Sequence, residues 1–203
     1  MNVKSKALFL DRDGILNRMV YDENHGTMDS PRRVEQLTPM PGASVLLDHA
    51  KALGFLRVIV TNQPGIAKGT LTIPELDSLH TALSRLLSDA PCAWDACYVC
   101  PHHPAGAATD ERKQYAIPCD CRKPAPGLLL RAAHDLNIDL AQSWMIGDGI
   151  VDIQAGHSAG CRTMLVTPLK PEILTRLLHL NIEPDIYAPD LETVLQHLKG
   201  DRK

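Results

Sequence analysis

The chain is poor in aromatic residues, with two Phe, two Trp and four Tyr among 203 positions, 4% in all. Its core therefore has to rest on Leu, Ile, Val and Ala rather than on large rings. Long apolar runs are also missing. No stretch approaches the ~20 residues that a bilayer-spanning helix needs, and the polar opening Met1–Lys6 does not read as a secretory leader. A cytoplasmic location with no membrane partner is expected. Nor is there an excess of positive charge: 21 Lys and Arg against 24 Asp and Glu leave a net charge of −3. That balance argues against a nucleic-acid partner, which calls for a basic surface. An anionic ligand would have to be met by local positive charge. Internal repeats and low-complexity tracts are absent.

What is present is ordinary for a soluble protein, with 44% apolar and 22% charged residues. The length predicts one α/β domain over 1–203 and is too short for two full-sized domains. Ala7-Leu8-Phe9-Leu10 reads as a buried strand that ends in Asp11. Residues 41–54 open with Pro41-Gly42, carry Val45, Leu46, Leu47 and Ala50 at helical spacing and stop at Gly54. A second buried strand, 56–60, ends at Thr61-Asn62. Pro74 suits a helix start, and Leu76, Leu79, Leu83, Leu86 and Leu87 give that helix an apolar face.

A third strand is predicted over 94–99, followed by a polar loop from Cys100 to Pro126. Then come a helix over 128–136, a strand over 144–146 ending in Gly147-Asp148, a helix over 151–159 and a strand over 163–166. Two more helical stretches fill 171–199, with a short strand at 185–187. Alternating strands and helices predict a Rossmann-like, three-layer α/β/α fold with a mostly parallel sheet. Ligands of such sheets sit beyond the carboxyl ends of the strands. Asp11, Thr61-Asn62 and Asp148 each follow a different strand and can meet in one crevice.

Asp11-Arg12-Asp13-Gly14 puts two carboxylates two residues apart. Asp11 can attack phosphorus and form an aspartyl phosphate. Asp13 can protonate the leaving alcohol and then activate water. Gly14 would let the backbone turn sharply beside the phosphate. An anion attacking an anion needs a cation, and Asp148 can share a magnesium ion with Asp11 through oxygen ligands. Thr61 and Asn62 can donate hydrogen bonds to phosphoryl oxygens. Lys123 can supply charge where negative charge spreads in the transition state. Each feature alone is commonplace, as a surface Asp pair, a helix cap or a solvated lysine; it is the ordered set that carries the reading.

Phe9-Leu10-Asp11-Arg12-Asp13-Gly14, Thr61-Asn62-Gln63, Arg122-Lys123-Pro124 and Gly147-Asp148 with Asp152 resemble the four motifs of the haloacid dehalogenase superfamily. The resemblance is nearer to its heptose-bisphosphate phosphatase and histidinol-phosphatase branch, through Thr61–Gly69 and Cys119-Asp120-Cys121-Arg122-Lys123-Pro124. It covers roughly residues 6–167. It implies Asp11 as nucleophile, Asp13 as general acid/base, and Thr61 and Lys123 as stabilisers of the transferring phosphoryl group. Magnesium would sit on Asp11, the backbone carbonyl of Asp13, and Asp148. Arg122 would help to recognise substrate, and Arg12, Asn62 and Gln63 join it as candidate substrate contacts.

Five of the six cysteines lie between positions 92 and 121. Cys100-x-His102 and Cys119-x-Cys121 offer three thiolates and an imidazole, a set that suits a closed, structural zinc site. The surrounding loop, about 100–121, is poor in apolar residues, so an ion would contribute directly to its order. The similar family carries zinc at this motif, with a shorter gap where this chain has the extra stretch Ala105–Tyr115. A Cys97/Cys100 pair in place of the Cys100/His102 pair, His103 in place of His102, and a metal-free loop are the open alternatives. Cys97 is expected to pack as a small core residue, and Cys92 and Cys161 to be structural. The loop would fix Arg122 and Lys123 over the crevice.

Two departures stand out. Gly149 occupies the position where heptose-bisphosphate phosphatases usually carry Lys. The segment 18–38, with Tyr21, Asp22, His25, Arg32 and Arg33, is longer than in that family and reads either as a solvated loop or as a contact for the leaving group. No large cap domain is expected. The leading expectation is a magnesium-dependent phosphoric monoester hydrolase acting on a small-molecule phosphate ester, D-glycero-D-manno-heptose 1,7-bisphosphate at its 7-phosphate. The alternatives are histidinol phosphate as substrate and a non-catalytic, zinc-stabilised binding module. Phosphomutase and phosphonatase chemistry calls for an enclosing cap or another base, and neither is visible.

Overall fold

The computed structural model describes residues 4–23, 26–106, 110–168 and 171–200. The strands are β1 (Lys6–Leu10), β2 (Val20–Asp22), β3 (Thr27–Asp29), β4 (Phe55–Asn62), β5 (Ala96–Cys100), β6 (Trp144–Gly147), β7 (Arg162–Val166) and β8 (Ile186–Ala188). The helices are α1 (Ala43–Ala52), α2 (Gly65–Lys68), α3 (Ile73–Leu87), α4 (Gly127–Asp135), α5 (Ile150–Ala159), α6 (Pro171–Leu180) and α7 (Leu191–Gly200).

Six strands form one sheet in the order β5-β4-β1-β6-β7-β8, and every pairing in it is parallel. Successive side chains of a strand point to opposite faces, and β1 shows the consequence. Leu8 and Leu10 face a core built with Leu46 and Leu47 of α1, Leu79 and Leu83 of α3, and Val194 and Leu198 of α7. Ala7 and Phe9 face the other way, onto Leu128 and Leu129 of α4 and Ala155 of α5. The strands β1, β4, β6 and β7 are largely buried on both sides, which is why they read as continuous apolar runs. The expected three-layer α/β/α arrangement is present, and no cap domain occurs among the described residues.

β1 sits between β4 and β6, where the chain order of the sheet reverses. A crevice opens at such a switch point, beyond the carboxyl ends of the strands. Asp11, Thr61-Asn62 and Asp148 all lie at that edge.

Local chemistry accounts for the element boundaries. α3 begins one residue before Pro74 because Thr72 and Glu75 form a capping box, with the Glu75 backbone N–H donating to Thr72 Oγ1 and the Thr72 N–H donating to the Glu75 carboxylate. β5 starts at Ala96 rather than Trp94. Trp94 is buried beside the strand, edge-on to the His80 ring. Segment 18–38 is not a plain solvated loop: β2 and β3 pair antiparallel, and a short 3-10 helix follows at Val34–Gln36. Two further short elements, α2 and a 3-10 turn at Asp110–Tyr115, went unread in the sequence because neither is long enough to show a period. His25, Met1–Val3 and residues 107–109 of the expected loop excess lie outside the described residues. No helix among the described residues is long and apolar enough to cross a membrane.

Candidate active site

Asp11 leaves the end of β1 with its backbone N–H bonded to the Ile146 carbonyl at 3.0 Å, so the strand pairing extends to the residue itself. The carboxylate oxygens of Asp11, Asp148 and Asp152 gather within 4.8 Å of one another. Gly14 makes room for this: its φ is +88°, and a Cβ there would lie 2.1 Å from Asp148 Oδ2. Glycine is required on both grounds.

Lys123 enters from the loop before α4. Its ammonium lies 3.0 Å from Asp11 Oδ1, 2.6 Å from Asp152 Oδ1 and 2.8 Å from the Val60 carbonyl. The ammonium is thus ion-paired with two carboxylates and donates a hydrogen bond to a backbone carbonyl. Asn62 holds the backbone in place, accepting from the Lys123 N–H and donating to the Lys123 carbonyl, both at 3.1 Å. One lysine faces three carboxylates, and the proton affinities reflect it. Burial pushes Asp11 up to about 7, against the pull of Lys123, and the Asp152, Asp13 and Asp148 charges add to the rise. Asp148 is pushed up to about 6, first by burial and then by Asp152. Two aspartates this reluctant to ionise call for a further cation, and an all-oxygen donor set fits magnesium.

Asp13 is treated in the opposite way. Burial works to raise its pKa, but the Arg12 guanidinium and hydrogen bonds from Asn17, Gln63 and Ser30 outweigh it and hold the carboxyl below its usual value. Arg12 Nη2 lies 2.9 Å from both carboxylate oxygens, Asn17 Nδ2 and Gln63 Nε2 approach to 2.9 Å, and Ser30 Oγ to 2.8 Å. Gln63 Nε2 also donates to Thr61 Oγ1 at 3.0 Å, which leaves the Thr61 hydroxyl hydrogen to point elsewhere. Behind this network, His80 Nε2 is 3.4 Å from Arg12 Nη1. Burial and then the Arg12 charge bring His80 down to about 4, so the ring is neutral and can accept.

The sequence-predicted residues thus divide into groups. Asp11, Asp148 and Lys123 come together at one point. Arg12 and Gln63, read as substrate contacts, are buried and both donate to Asp13; Arg12 also donates to Gln63, and Gln63 to Thr61. Asn62, read the same way, holds Lys123. Asp152 was carried only as part of a motif, and it proves to be both the cap of α5, accepting from the Gly149 N–H at 3.0 Å, and the partner of Lys123. Ser30, Asn17 and His80 were not singled out. Asn17, four residues after Asp13, had a spacing to offer; Ser30 and His80 had none.

The second cluster is complete. Cys100, His102, Cys119 and Cys121 lie with their ligand atoms all within 4.8 Å of one another. The sulfur separations are 3.3, 3.3 and 3.6 Å, close to the edge of about 3.8 Å for a tetrahedron with 2.3 Å zinc–sulfur bonds. His102 Nδ1 stands 3.2 Å from Cys121 Sγ and 3.7 Å from Cys100 Sγ. The rival ligands are elsewhere: His103 accepts from the Ala105 N–H, and Cys97 packs against the core with its sulfur 3.8 Å from His80 Nδ1. Cys161 is buried and Cys92 is exposed. Arg122, the residue before Lys123, is tied to this loop: its Nη1 donates to the His102 carbonyl at 3.3 Å.

A parallel sheet with an Asp-x-Asp at the end of its central strand, and a buried lysine facing acidic residues from another strand end, defines the haloacid dehalogenase-like hydrolases. Residues 120–194 match the family model described as HAD-hydrolase-like. The chain is 40% identical over 167 residues to the D-glycero-beta-D-manno-heptose-1,7-bisphosphate 7-phosphatase of Pasteurella multocida, a match covering 82% of this chain and 84% of that one. It is 37% identical over 170 residues to the Escherichia coli K12 protein of the same name, covering 82% and 83%. Among solved structures, the D,D-heptose 1,7-bisphosphate phosphatase from B. bronchiseptica, complexed with magnesium and phosphate, superposes with a TM-score of 0.76 at 28% identity, covering 97% of this chain and 99% of that one. The chain belongs to the haloacid dehalogenase-like phosphatases, in the family of the D-glycero-β-D-manno-heptose-1,7-bisphosphate 7-phosphatases.

Proposed function

We propose that this phosphatase removes the 7-phosphate of D-glycero-β-D-manno-heptose 1,7-bisphosphate, with magnesium at Asp11, Asp148 and the Asp13 carbonyl. The observation that carries the reading is the convergence of Asp11, Asp148, Asp152 and Lys123, where one lysine leaves excess negative charge beside the nucleophile position. The relatives' names supply the substrate. Residues 1–203 are taken as a single cytoplasmic domain.

In the first step an Asp11 carboxylate oxygen attacks phosphorus while Asp13 gives a proton to the departing sugar oxygen. In the second, Asp13 takes a proton from water as the water attacks the aspartyl phosphate, and Asp11 is released. Asp13 held as an anion suits the second step. The incoming phosphoryl dianion raises its proton affinity for the first. Lys123, with the Thr61 hydroxyl, stabilises charge on the transferring group. When bound, magnesium adds positive charge that keeps Asp11 ionised and relieves anion–anion repulsion. Arg122 meets the substrate at the crevice mouth.

We further assign zinc to Cys100, His102, Cys119 and Cys121 in a structural role, since four protein ligands leave no open position. The test is phosphate release from the heptose bisphosphate with and without magnesium. Activity should require the metal and disappear in Asp11→Asn; an Asp11→Asn variant with wild-type turnover would rule the mechanism out.

A further inference from the structure

A cavity of about 270 Å³ lies between the β2–β3 hairpin and α2. That is just under the roughly 300–1,000 Å³ of drug-sized pockets, a suitable space for one polar metabolite. Its position relative to the chemistry is informative. Ser30 and Gln63 both line it, and both donate to the Asp13 carboxylate. If Asp13 protonates the departing oxygen, the departing group comes to this carboxylate, and the cavity is the neighbouring space, lined by the two residues that donate to it.

The far wall carries the charge. Arg32 is engaged by Asp22 at 3.5 Å and by Asp29, so its charge is neutralised within the hairpin. Lys68, the last residue of α2, lines the same cavity and is exposed. Among the described residues no carboxylate pairs with it. The cavity thus has in its lining the Asp29 carboxylate, paired with Arg32, the Thr70 hydroxyl, and the Lys68 ammonium, for which no carboxylate partner is found among the described residues. Hydroxyls meeting Asp29 and Thr70, and an anion meeting Lys68, describe a sugar that carries a second phosphate.

We infer that Lys68 is a specificity-determining residue that receives the second, non-transferred phosphate of the substrate, with the sugar body in the cavity between the hairpin and α2. This deepens the bisphosphatase reading and rests on it. It also gives the chain's longer 18–38 segment a task, as one wall of the leaving-group site.

The experiment compares kcat/KM for the heptose 1,7-bisphosphate with that for the corresponding 7-monophosphate, in wild type, Lys68→Met and Lys68→Arg, all with magnesium. A lost charge-assisted contact lowers affinity by roughly tenfold or more. The preference of Lys68→Met for bisphosphate over monophosphate should fall by about that factor through KM, and Lys68→Arg should restore most of it. Equal losses on both substrates, or an unchanged preference in Lys68→Met, would overturn the assignment while leaving the bisphosphatase reading standing. A wild type that hydrolyses neither heptose phosphate would overturn both.

Discussion

Lys123 and Asp152 meet at 2.6 Å, and each side chain is only 1% exposed. A charge pair this far from water is held in place by the penalty of separating it. Removing one partner of a buried pair costs about 3–5 kcal/mol, because the other charge is left uncompensated. Lys123 has a second anion, Asp11, at 3.0 Å, so Asp152→Ala should fall at the lower end of that range. Urea denaturation monitored by circular dichroism would measure it. A variant as stable as wild type would show that Asp152 is not the residue anchoring the lysine.

The carboxylate cluster predicts an unusual pH dependence for the metal-free protein. Asp11 is raised to about 7 and Asp148 to about 6. Between the ordinary carboxylate value and these, the folded state holds more protons than the unfolded one, so stability falls as pH rises through about 4 to 7. Asp13, whose pKa is lowered, works with the opposite sign, and its contribution is lost only as pH falls below the ordinary carboxylate range. Magnesium relieves the first effect. The rise in melting temperature on adding millimolar magnesium should therefore be larger at about pH 8 than at about pH 5, by mass action on an ionised site. Equal shifts at the two pH values would count against magnesium binding at these carboxylates.

The zinc assignment predicts one equivalent of zinc per chain by elemental analysis of the purified protein. Chelation should lower the melting temperature by about 5 °C or more, since each 1 kcal/mol moves a domain of this size by roughly 2–4 °C. It should also depress kcat/KM, because Arg122 bonds to the carbonyl of His102 and Lys123 is the next residue. Cys119→Ser should reproduce both effects. Full activity in a protein stripped of zinc would show that the loop holds Arg122 without the ion.

Gly14→Ala and Gly54→Ala form a matched pair. Both glycines have positive φ, +88° and +77°, so alanine strains the backbone at each. Only at position 14 does the new Cβ strike another group, Asp148 Oδ2 at 2.1 Å; at position 54 nothing lies within 4 Å. Gly54→Ala should cost about 1 kcal/mol with little change in magnesium dependence. Gly14→Ala should cost more and raise the magnesium concentration needed for half-maximal activity by about tenfold or more, a shift that titration with the metal would detect. Similar magnesium requirements in the two variants would mean that Asp148 moves aside without consequence.

Much of the fold was legible because its signals are local. The apolar runs of β1, β4 and β6, the glycine and proline stops, and the 3.5-to-3.6-residue spacing in α3 each involve neighbours in the chain. The same holds for the Cys-x-His and Cys-x-Cys pairs, whose spacing suits one ion. Short elements were not legible. The β2–β3 hairpin has three residues per strand and α2 has four in all, too few for a period to emerge.

The residue types of the candidate site were legible in the sequence: Asp11, Asp13, Thr61, Lys123 and Asp148 are the kinds of group that the proposed phosphoryl transfer would use, and Asp11, Thr61 and Asp148 stand at the ends of three different strands. Their division of labour was decided by the tertiary structure. Arg12, Asn62 and Gln63 are polar residues beside a crevice, equally suited by type to touching substrate or touching a neighbour. Burial and distance turn Arg12 and Gln63 toward Asp13 and Asn62 toward Lys123. Asp152 could have been no more than a helix cap until the fold brought Lys123 to it from 29 positions away. Ser30 could have been any turn serine until the hairpin laid it on Asp13. The physical reason is the same in each case: hydrogen bonds and Coulomb attraction act over a few ångströms of space, and only the folded chain determines which side chains lie within that range.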